Sequence, residues 1–379
     1  MSSILRWARG LVRRSPAVPL RFPTSGFEII ADSVLLEEEQ LDEFKTGQYC
    51  PVHIGDVFAS KYQVVGKLGF GTTSTVWLAR NLYGHGHVAL KVYTRDRGDR
   101  DEFQILETIG KANPSHPGYR HVRTALDIFQ IHRPEGDHYC LVQRPMWESW
   151  RHLFRRNASG RFTEPLLKAG LRHLFSALDY LHSECKLAGS STASAAELSL
   201  TLLMIVDIKA DNILQDIEDQ SILEAFTKAE LTTPSPRKFL DDVPIYASRA
   251  FDLPRRFGGP VLSDFGSAVR GDLKRNHDAQ PAVYRSPEVM LKAEWSYPVD
   301  IWNVGVMIWD LFQGRHLFYG KDPKHHDYST RAHLAELIGI LGPPPLDLLN
   351  RGRRSREFFT EDGKIAYKLH LICPPWPCD

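Results

Sequence analysis

Four side chains in the middle of the sequence are of the types that phosphoryl transfer requires. Asp207 and Lys209 stand two positions apart, Asn212 follows, and Asp264 comes about fifty residues later in a Ser-Asp-Phe-Gly sequence. Transfer of a γ-phosphoryl group needs a carboxylate that orients the attacking hydroxyl group, a cation beside the moving phosphate, and oxygen ligands for Mg²⁺. The alternative for each aspartate is an ordinary turn or helix cap. Their combined spacing favours a phosphoryl-transfer site.

Upstream, a glycine-rich stretch precedes an apolar strand that carries a lysine. In residues 68–76, the missing β-carbons of Gly69 and Gly71 let backbone amides approach phosphate oxygens. Lys91 follows about fifteen residues later in the apolar run 88–92. Lys91 could be a strand lysine whose ammonium group simply reaches solvent. With a carboxylate on the next predicted helix, a phosphate-binding role is favoured, and Glu102 is better placed as that partner than Glu107.

These elements, in this order, resemble the protein kinase family. Residues 284–288 resemble the end of a kinase activation segment, and residues 297–305 resemble the helix that anchors the large lobe. Order and spacing agree over roughly 230 residues. The resemblance implies an α+β, bilobal protein kinase fold with a small β-rich N-lobe and a large helical C-lobe, and an enzyme that uses ATP and Mg²⁺.

Four runs narrow the resemblance to the SR-protein kinases, an SRPK-like family of serine/threonine kinases within the CMGC group, and to its fungal members in particular. They are residues 69–77, 207–209, 264–268 and 284–288, and residues 333–344 are similar to a segment that this family shares with its neighbours. Such kinases phosphorylate serines in Arg-Ser-rich splicing factors. The acids Asp211, Asp216, Glu218 and Asp219 near the catalytic loop agree with a basic substrate.

The resemblance also implies a role for each site residue. Asp207 would be the catalytic carboxylate, Lys209 would steady the γ-phosphate, and Asn212 and Asp264 would bind Mg²⁺. The hinge that offers backbone groups to adenine would lie at residues 143–146. The residues expected to bind ATP are Leu68, Gly69, Phe70, Gly71, Val76, Ala89, Lys91, Glu102 and Met146.

The chain divides, on this interpretation, into a basic tail and extension (1–57), the N-lobe with the hinge (58–147) and the C-lobe (148–379). Alternating runs at 62–65, 74–79 and 87–92 predict strands, and the leucine spacing from 167 to 181 predicts a helix. A polar spacer at 215–260 is expected to be disordered in its middle. No segment resembles the family's last helices, so Glu288 would lack the arginine that usually holds it.

Two departures from the family lie just before Asp207. Ile205 replaces a histidine, and an insertion near 188–205 adds roughly sixteen residues to the connection from the long helix. The insertion is either a real variation or translated sequence that a correctly spliced message would lack. These departures motivate the alternative of a pseudokinase, a module that binds nucleotide or proteins without turnover.

Composition excludes several other classes of protein. Lys and Arg total 47 against 46 Asp and Glu, so no global basic field favours nucleic acid as a partner. The five cysteines have neither metal-site spacing nor the density of a disulfide scaffold. No apolar run approaches the roughly eighteen residues that a membrane span needs. We expect a monomeric enzyme of the cytoplasm and nucleus, with no direct nucleic-acid or membrane partner.

The N-terminal 25 residues leave a second location open. Five arginines precede the first acid, Glu28, as in a mitochondrial transit peptide. Three prolines in the same stretch would cut an amphipathic helix short, which favours a disordered basic tail.

The activation segment lacks acceptors for phosphate. Residues 268–283 contain no Ser, Thr or Tyr, and Val206 replaces the arginine that would receive such a phosphate. Loop phosphorylation therefore cannot order this segment, and we expect constitutive activity.

Overall fold

The computed structural model describes residues 15–95, 100–187, 201–205, 207–241, 243–270 and 275–366. The described residues form two compact units. The first unit contains the described residues within 1–103, 124–147 and 216–258, and the second those within 104–123, 148–215 and 259–379. None of the helices in these described ranges is long and apolar enough to cross a membrane.

The regular elements are numbered in chain order. The strands are β1 (Val57–Phe58), β2 (Tyr62–Gly71), β3 (Ser74–Asn81), β4 (Gly86–Tyr93), β5 (Asp127–Ile131), β6 (His138–Gln143), β7 (Met146–Ser149), β8 (Lys186–Leu187), β9 (Thr201–Ile205), β10 (Ile213–Ile217), β11 (Arg237–Leu240), β12 (Val243–Tyr246), β13 (Phe257–Leu262) and β14 (Ala268–Arg270). The helices are α1 (Arg100–Lys111), α2 (Trp150–Arg156), α3 (Glu164–Ser183), α4 (Ser221–Thr232), α5 (Pro287–Met290), α6 (Pro298–Gln313), α7 (Thr330–Leu341), α8 (Leu346–Arg351) and α9 (Ser355–Phe358). Short 3-10 turns connect some of them.

A six-stranded antiparallel sheet dominates the first unit, with the order β1-β2-β3-β4-β6-β5. The three strands predicted by alternation are confirmed as β2, β3 and β4, each longer than predicted. One face buries Val64, Trp77, Leu90 and Val142, which form a continuous apolar core. The smaller sheets have the orders β13-β10-β7, β11-β12 and β14-β9-β8.

The predicted spacer is ordered. It contains α4 and the hairpin β11-β12, in which Lys238 pairs with Ile245 in register. Ser235, in a Thr-Pro-Ser-Pro sequence that suggested a flexible loop, is only 1% exposed and both its amide and its hydroxyl group donate to Glu230. The expectation of a disordered middle is therefore wrong for the described residues. Residues 216–258 also belong to the first unit, whereas the sequence analysis assigned them to the C-lobe.

A buried ion pair ties the N-terminal extension to β2. The side chain of Lys67 is fully buried, and its Nζ donates to a carboxylate oxygen of Glu38 and to the carbonyl oxygen of Tyr246 at 3.1 Å. Oε2 of Glu37 lies 3.8 Å from the same ammonium group. The extension, the second strand and the spacer hairpin are thus joined at one lysine.

Most of the helices lie in the second unit. The predicted leucine stripe is confirmed in α3, where Leu167, Leu174, Leu178 and Leu181 are buried. Nε2 of His182, in the last turn of α3, donates to the buried carboxylate of Asp300 in α6 at 2.8 Å. Helix α6 ends at Gly314, whose positive φ of 76° is the left-handed conformation that commonly closes a helix.

Candidate active site

The lysine–glutamate pair expected in the first unit is present. Lys91 lies in β4 and Glu102 in the first turn of α1, with Nζ of Lys91 3.6 Å from Oε1 of Glu102. The Glu102 side chain is 7% exposed and that of Lys91 is 22% exposed. A carboxylate held this way fixes the direction of an ammonium group that is still reachable by a phosphate. Glu107 instead pairs with the exposed Lys111.

Side chains around Lys91 share one face of the sheet because directly paired residues point the same way. Val76 pairs with Lys91 across β3 and β4, and Ala89 pairs with Gln143 across β4 and β6. Ala89 and Gln143 are buried, and Val76 is half-buried. The structure thus brings together Val76, Ala89 and Lys91 from the predicted site. Met146 is buried at the start of β7, three residues after Gln143.

The glycine-rich hairpin turns at Thr72 and Thr73, because Gly71 pairs with Ser74. Gly69 and Gly71 have no positive φ, and a β-carbon built on either one meets no atom within 4 Å. Internal packing therefore does not require glycine at these two positions. Open space above the backbone is what a phosphate group needs for a close approach to amides. Leu68 and Phe70 lie on the same strand, and Phe70 is 37% exposed.

Tyr49 contributes to the site in a way that the sequence did not predict. Its hydroxyl group donates to the carbonyl oxygens of Gly71 at 2.9 Å and Thr72 at 3.3 Å, so the N-terminal extension holds the tip of the glycine-rich hairpin. These partners are more than twenty residues away in sequence, and no local pattern marks the contact.

In the second unit, strand pairing positions the catalytic loop. Ile205 of β9 pairs with Ala268 of β14, so the strand that leads to Asp207 is bonded to the strand that follows Asp264. At the other end of β9, Thr201 pairs with Leu187 of β8. The insertion is therefore closed at its base by a hairpin. Residues 188–200, which carry most of it, lie outside the described residues, and Ile205 takes the strand position before the loop.

Two of the predicted catalytic-loop residues, Lys209 and Asn212, form hydrogen bonds with the third, Asp207. Nζ of Lys209 donates to Oδ2 of Asp207 at 2.7 Å. Nδ2 of Asn212 donates to the carbonyl oxygen of Asp207 at 2.9 Å and to its Oδ2 at 3.1 Å. Oδ1 of Asp207, by contrast, is buried and has no hydrogen-bond partner among the described residues. A buried carboxylate oxygen without a donor is costly, so this atom is a ready acceptor for a hydroxyl group.

Asp264 lies beside Asn212 because the amide of Ser263 donates to the carbonyl oxygen of Asn212 at 2.8 Å. Asp264 is exposed and has a φ of +64°, a left-handed conformation that aspartate tolerates, while Phe265 next to it is 1% exposed. The amide nitrogen of Asn212 donates to Asp207, which leaves Oδ1 of Asn212 free to act as an oxygen ligand. Asn212 and Asp264 therefore fit a Mg²⁺ ion that takes its remaining ligands from phosphate and water.

The activation segment is held by Gln280, a second residue that sequence reasoning missed. Its Nε2 donates to the carbonyl oxygen of Val299 at 3.0 Å and to Oδ1 of Asn303 at 2.8 Å, and its Oε1 accepts from the amide of Ser286 at 2.8 Å. Nε of Arg285 donates to the carbonyl oxygen of Ala279 at 3.3 Å, within the same segment. No ion pair to the Glu288 side chain occurs within the described residues.

The acids near the catalytic loop are largely engaged within the protein. Asp211 lies 3.5 Å from Nε of Arg151 in the second unit. In the first unit, Asp216 lies 3.4 Å from Nη1 of Arg144. The Asp219 carboxylate accepts from Ser221 and from the amide of Arg255, and these hydrogen bonds lower its pKa. Only part of the acidic charge read from the sequence is thus available to a basic substrate.

Comparison with known proteins agrees with this geometry. Residues 256–354 match the family described as "Protein kinase domain". A serine/threonine protein kinase of Aspergillus fumigatus is 39% identical over 357 residues, which cover 93% of this chain and 83% of that protein. The serine/threonine-protein kinase SRPK of Physarum polycephalum is 30% identical over 350 residues, with 90% and 80% coverage. SRSF protein kinase 3 of Homo sapiens is 23% identical over 467 residues, with 88% and 82% coverage. The chain belongs to the serine/threonine protein kinases, in their SRPK-like branch.

Proposed function

We propose that this kinase transfers the γ-phosphoryl group of ATP, with Mg²⁺ bound, to serine or threonine in Arg-Ser-rich proteins. One observation carries the catalytic part of the proposal. The buried Oδ1 of Asp207 lacks a hydrogen-bond donor among the described residues, while Lys209 and Asn212 fix the other oxygen of the same carboxylate. A substrate hydroxyl group supplies the missing donor, which orients its oxygen for attack and gives its proton an acceptor.

Each remaining residue has a task that its surroundings allow. Lys91, steadied by Glu102, binds the α- and β-phosphates, and the Gly69 and Gly71 backbone approaches the phosphates closely. Lys209, beside Asp207, stabilises the charge that develops on the transferred group. Mg²⁺, held by Asn212 Oδ1 and Asp264, would neutralise charge on the phosphate oxygens. No step requires a covalent enzyme intermediate.

The catalytic roles are tested by replacing charged groups in the purified full chain. Asp207→Asn, Asp264→Asn and Lys91→Ala should each reduce kcat/KM for phosphate transfer about 10²- to 10³-fold, because each loses a charge that acts in the transition state. Asp42→Asn and Lys228→Ala remove the same charges at exposed positions and should keep full activity. Transfer at the parent rate by Asp264→Asn in Mg²⁺ would remove the metal assignment.

Preference for Arg-Ser-rich proteins is supported by the names of relatives, such as SRSF protein kinase 3, and by the acidic side chains of Asp211 and Asp216, which remain partly exposed. Phosphate transfer should be faster to a basic Arg-Ser peptide than to an acidic peptide with the same serines. The difference should shrink as salt screens the charges. Equal rates on both peptides would disprove the substrate proposal. Nucleotide binding without transfer to any peptide would favour the pseudokinase alternative.

A further inference from the structure

A cavity lined by residues other than those of the candidate active site lies wholly within the first unit. It has a volume of about 240 Å³ and is lined by residues within 44–52 of the N-terminal extension, the face of β3 that carries Trp77 and the hairpin β11-β12. Two aromatic pairs line it. Phe44 stacks on Tyr49 with ring centres 5.7 Å apart, and Trp77 meets Tyr246 edge to face at 5.6 Å.

Three polar groups that line the cavity already have hydrogen-bond partners within the protein. Glu38 accepts from Lys67, Nε1 of Trp77 donates to Oγ1 of Thr75 at 2.9 Å, and the hydroxyl group of Tyr246 accepts from the amide of Ile54 at 3.3 Å. A ligand therefore gains little there from hydrogen bonds. The rim carries charges of both signs, two basic and two acidic, so it favours neither a cation nor an anion. These rim residues are Lys45, Arg95, Glu135 and Asp241.

Size and lining together define the class of ligand. An engineered apolar cavity of about 150 Å³ binds benzene, whereas pockets for drug-sized ligands have volumes of about 300 Å³ or more. A volume of about 240 Å³ lies between these, which suits one or two fused aromatic rings. Aromatic walls favour flat aromatic ligands through stacked and edge-on contacts. An unfilled apolar space of this size also lowers stability, since its lining atoms lack partners.

The cavity is connected to the glycine-rich turn through one residue. Tyr49 lines the cavity with its ring, and its hydroxyl group donates to the carbonyl oxygens of Gly71 and Thr72. The same extension is tied to the end of β4, the strand that carries Lys91, because the amide of Arg95, two residues past that strand, donates to the carbonyl oxygen of Gln48 at 2.9 Å. A molecule that packs against the Tyr49 ring restrains the hydroxyl group that holds the turn.

We propose that this cavity is a binding site for a small neutral aromatic molecule, and that its occupancy stabilises the glycine-rich turn through the Tyr49 hydroxyl group. Any effect of this stabilisation on ATP binding at the turn rests on the proposed function. Binding of the aromatic ligand and its effect on the turn do not rest on it, because both are measured without nucleotide.

Indole is the test ligand, and its binding to the full chain is measured by calorimetry. Val243→Trp places a large side chain in the cavity from β12 and should weaken indole binding at least about tenfold, as expected for overfilling. Val18→Trp makes the same change at a position that is 81% exposed and should bind indole like the parent. If Val243→Trp does not fold, Leu240→Trp, from β11, replaces it. Unchanged affinity in a folded cavity variant would overturn the proposal.

Hydrogen exchange of the peptide 68–76 tests the link to the turn. At indole concentrations about ten times Kd, exchange at the turn should slow by up to about tenfold in the parent. Tyr49→Phe keeps the ring but not the hydroxyl group, so it should bind indole within about twofold and show no slowing. Equal slowing in Tyr49→Phe would refute the link. If indole bound only after deletion of residues 1–14, the occupant would be this chain's own N-terminal segment and the small-molecule proposal would be wrong.

Discussion

Removal of the Lys67 ammonium group should destabilise the first unit far more than loss of an ordinary surface charge. The Lys67 side chain is fully buried, and Lys67→Met keeps most of its apolar stem while it removes the partner of Glu38, Glu37 and the Tyr246 carbonyl oxygen. Glu38 is only 6% exposed, so its carboxylate would remain buried without a cation. Loss of one partner of a buried pair costs about 3–5 kcal/mol, which is roughly a hundred- to five-thousandfold in the unfolding equilibrium.

Two further variants separate this cost from the loss of packing. The double variant Lys67→Met with Glu38→Gln leaves no unpaired charge at Glu38 and should recover most of the lost stability, because neutral replacement of a buried pair is often tolerated. Lys111→Met removes the same group from an exposed pair with Glu107, whose side chains are 74% and 59% exposed, and should change stability by no more than about 0.5 kcal/mol.

Native-state hydrogen exchange of amides in β2 and β3, combined with urea unfolding, measures these differences in the first unit without assuming that the whole chain unfolds in one step. Exchange in the β2–β3 hairpin should accelerate at least about a hundredfold in Lys67→Met and return toward the parent rate in the double variant. A Lys67→Met protein as stable as Lys111→Met would refute the reasoning, as would a double variant less stable than Lys67→Met.

Two other outcomes follow from the second unit. Replacement of residues 188–200 by Asn-Gly should raise the free energy of unfolding by about 1–2 kcal/mol, because it shortens a loop whose ends, Leu187 and Thr201, are already paired. Kinase activity should be preserved. Loss of activity in a folded variant would contradict this. Burial, together with the nearby Arg285 charge, lowers the pKa of His333 from 6.5 to about 4, so its neutral form is favoured in the folded state. That stabilisation is complete above about pH 6.5 and is lost as the pH falls toward 4, by about 3 kcal/mol in total. Between pH 7 and pH 4, the urea midpoint of His333→Gln should therefore fall less than that of the parent protein. An equal fall of the midpoint in both proteins would refute this role of His333.

Local pattern was enough to predict the elements that carry the chemistry. The alternation around Lys91 predicted its strand, and the spacing to Glu102 predicted the pair now seen at 3.6 Å. Asp207, Lys209 and Asn212 lie within six residues, so their meeting depends on one local turn. Where a site is built from short stretches of backbone, the sequence constrains its geometry strongly.

Contacts between distant segments were the part that the sequence did not reveal. Lys67 has the appearance of a solvent-facing strand residue, and its partner lies 29 positions upstream in an acidic run that suggests an exposed surface. Glu230 is 1% exposed in a spacer expected to be partly disordered, where Arg249 donates to it at 2.6 Å. Local sequence marks neither pair, because reciprocal pairing offsets the cost of burying these charges and pairing depends on the tertiary fold.

The part of the activation segment that the structure describes around Gln280 is held by an amide, where many kinases use a phosphate. Gln280 makes three hydrogen bonds, two of them to α6, and residues 268–283 contain no hydroxyl side chain that could be phosphorylated. Activity should therefore survive phosphatase treatment. Gln280→Ala should lower both melting temperature and turnover, because it leaves buried polar groups short of partners at a cost of about 1–3 kcal/mol. Gln130→Ala, at an exposed position, should change neither. Loss of activity on phosphatase treatment, with the lost phosphate mapped to Tyr284, would show that a charge and not the Gln280 amide orders this segment.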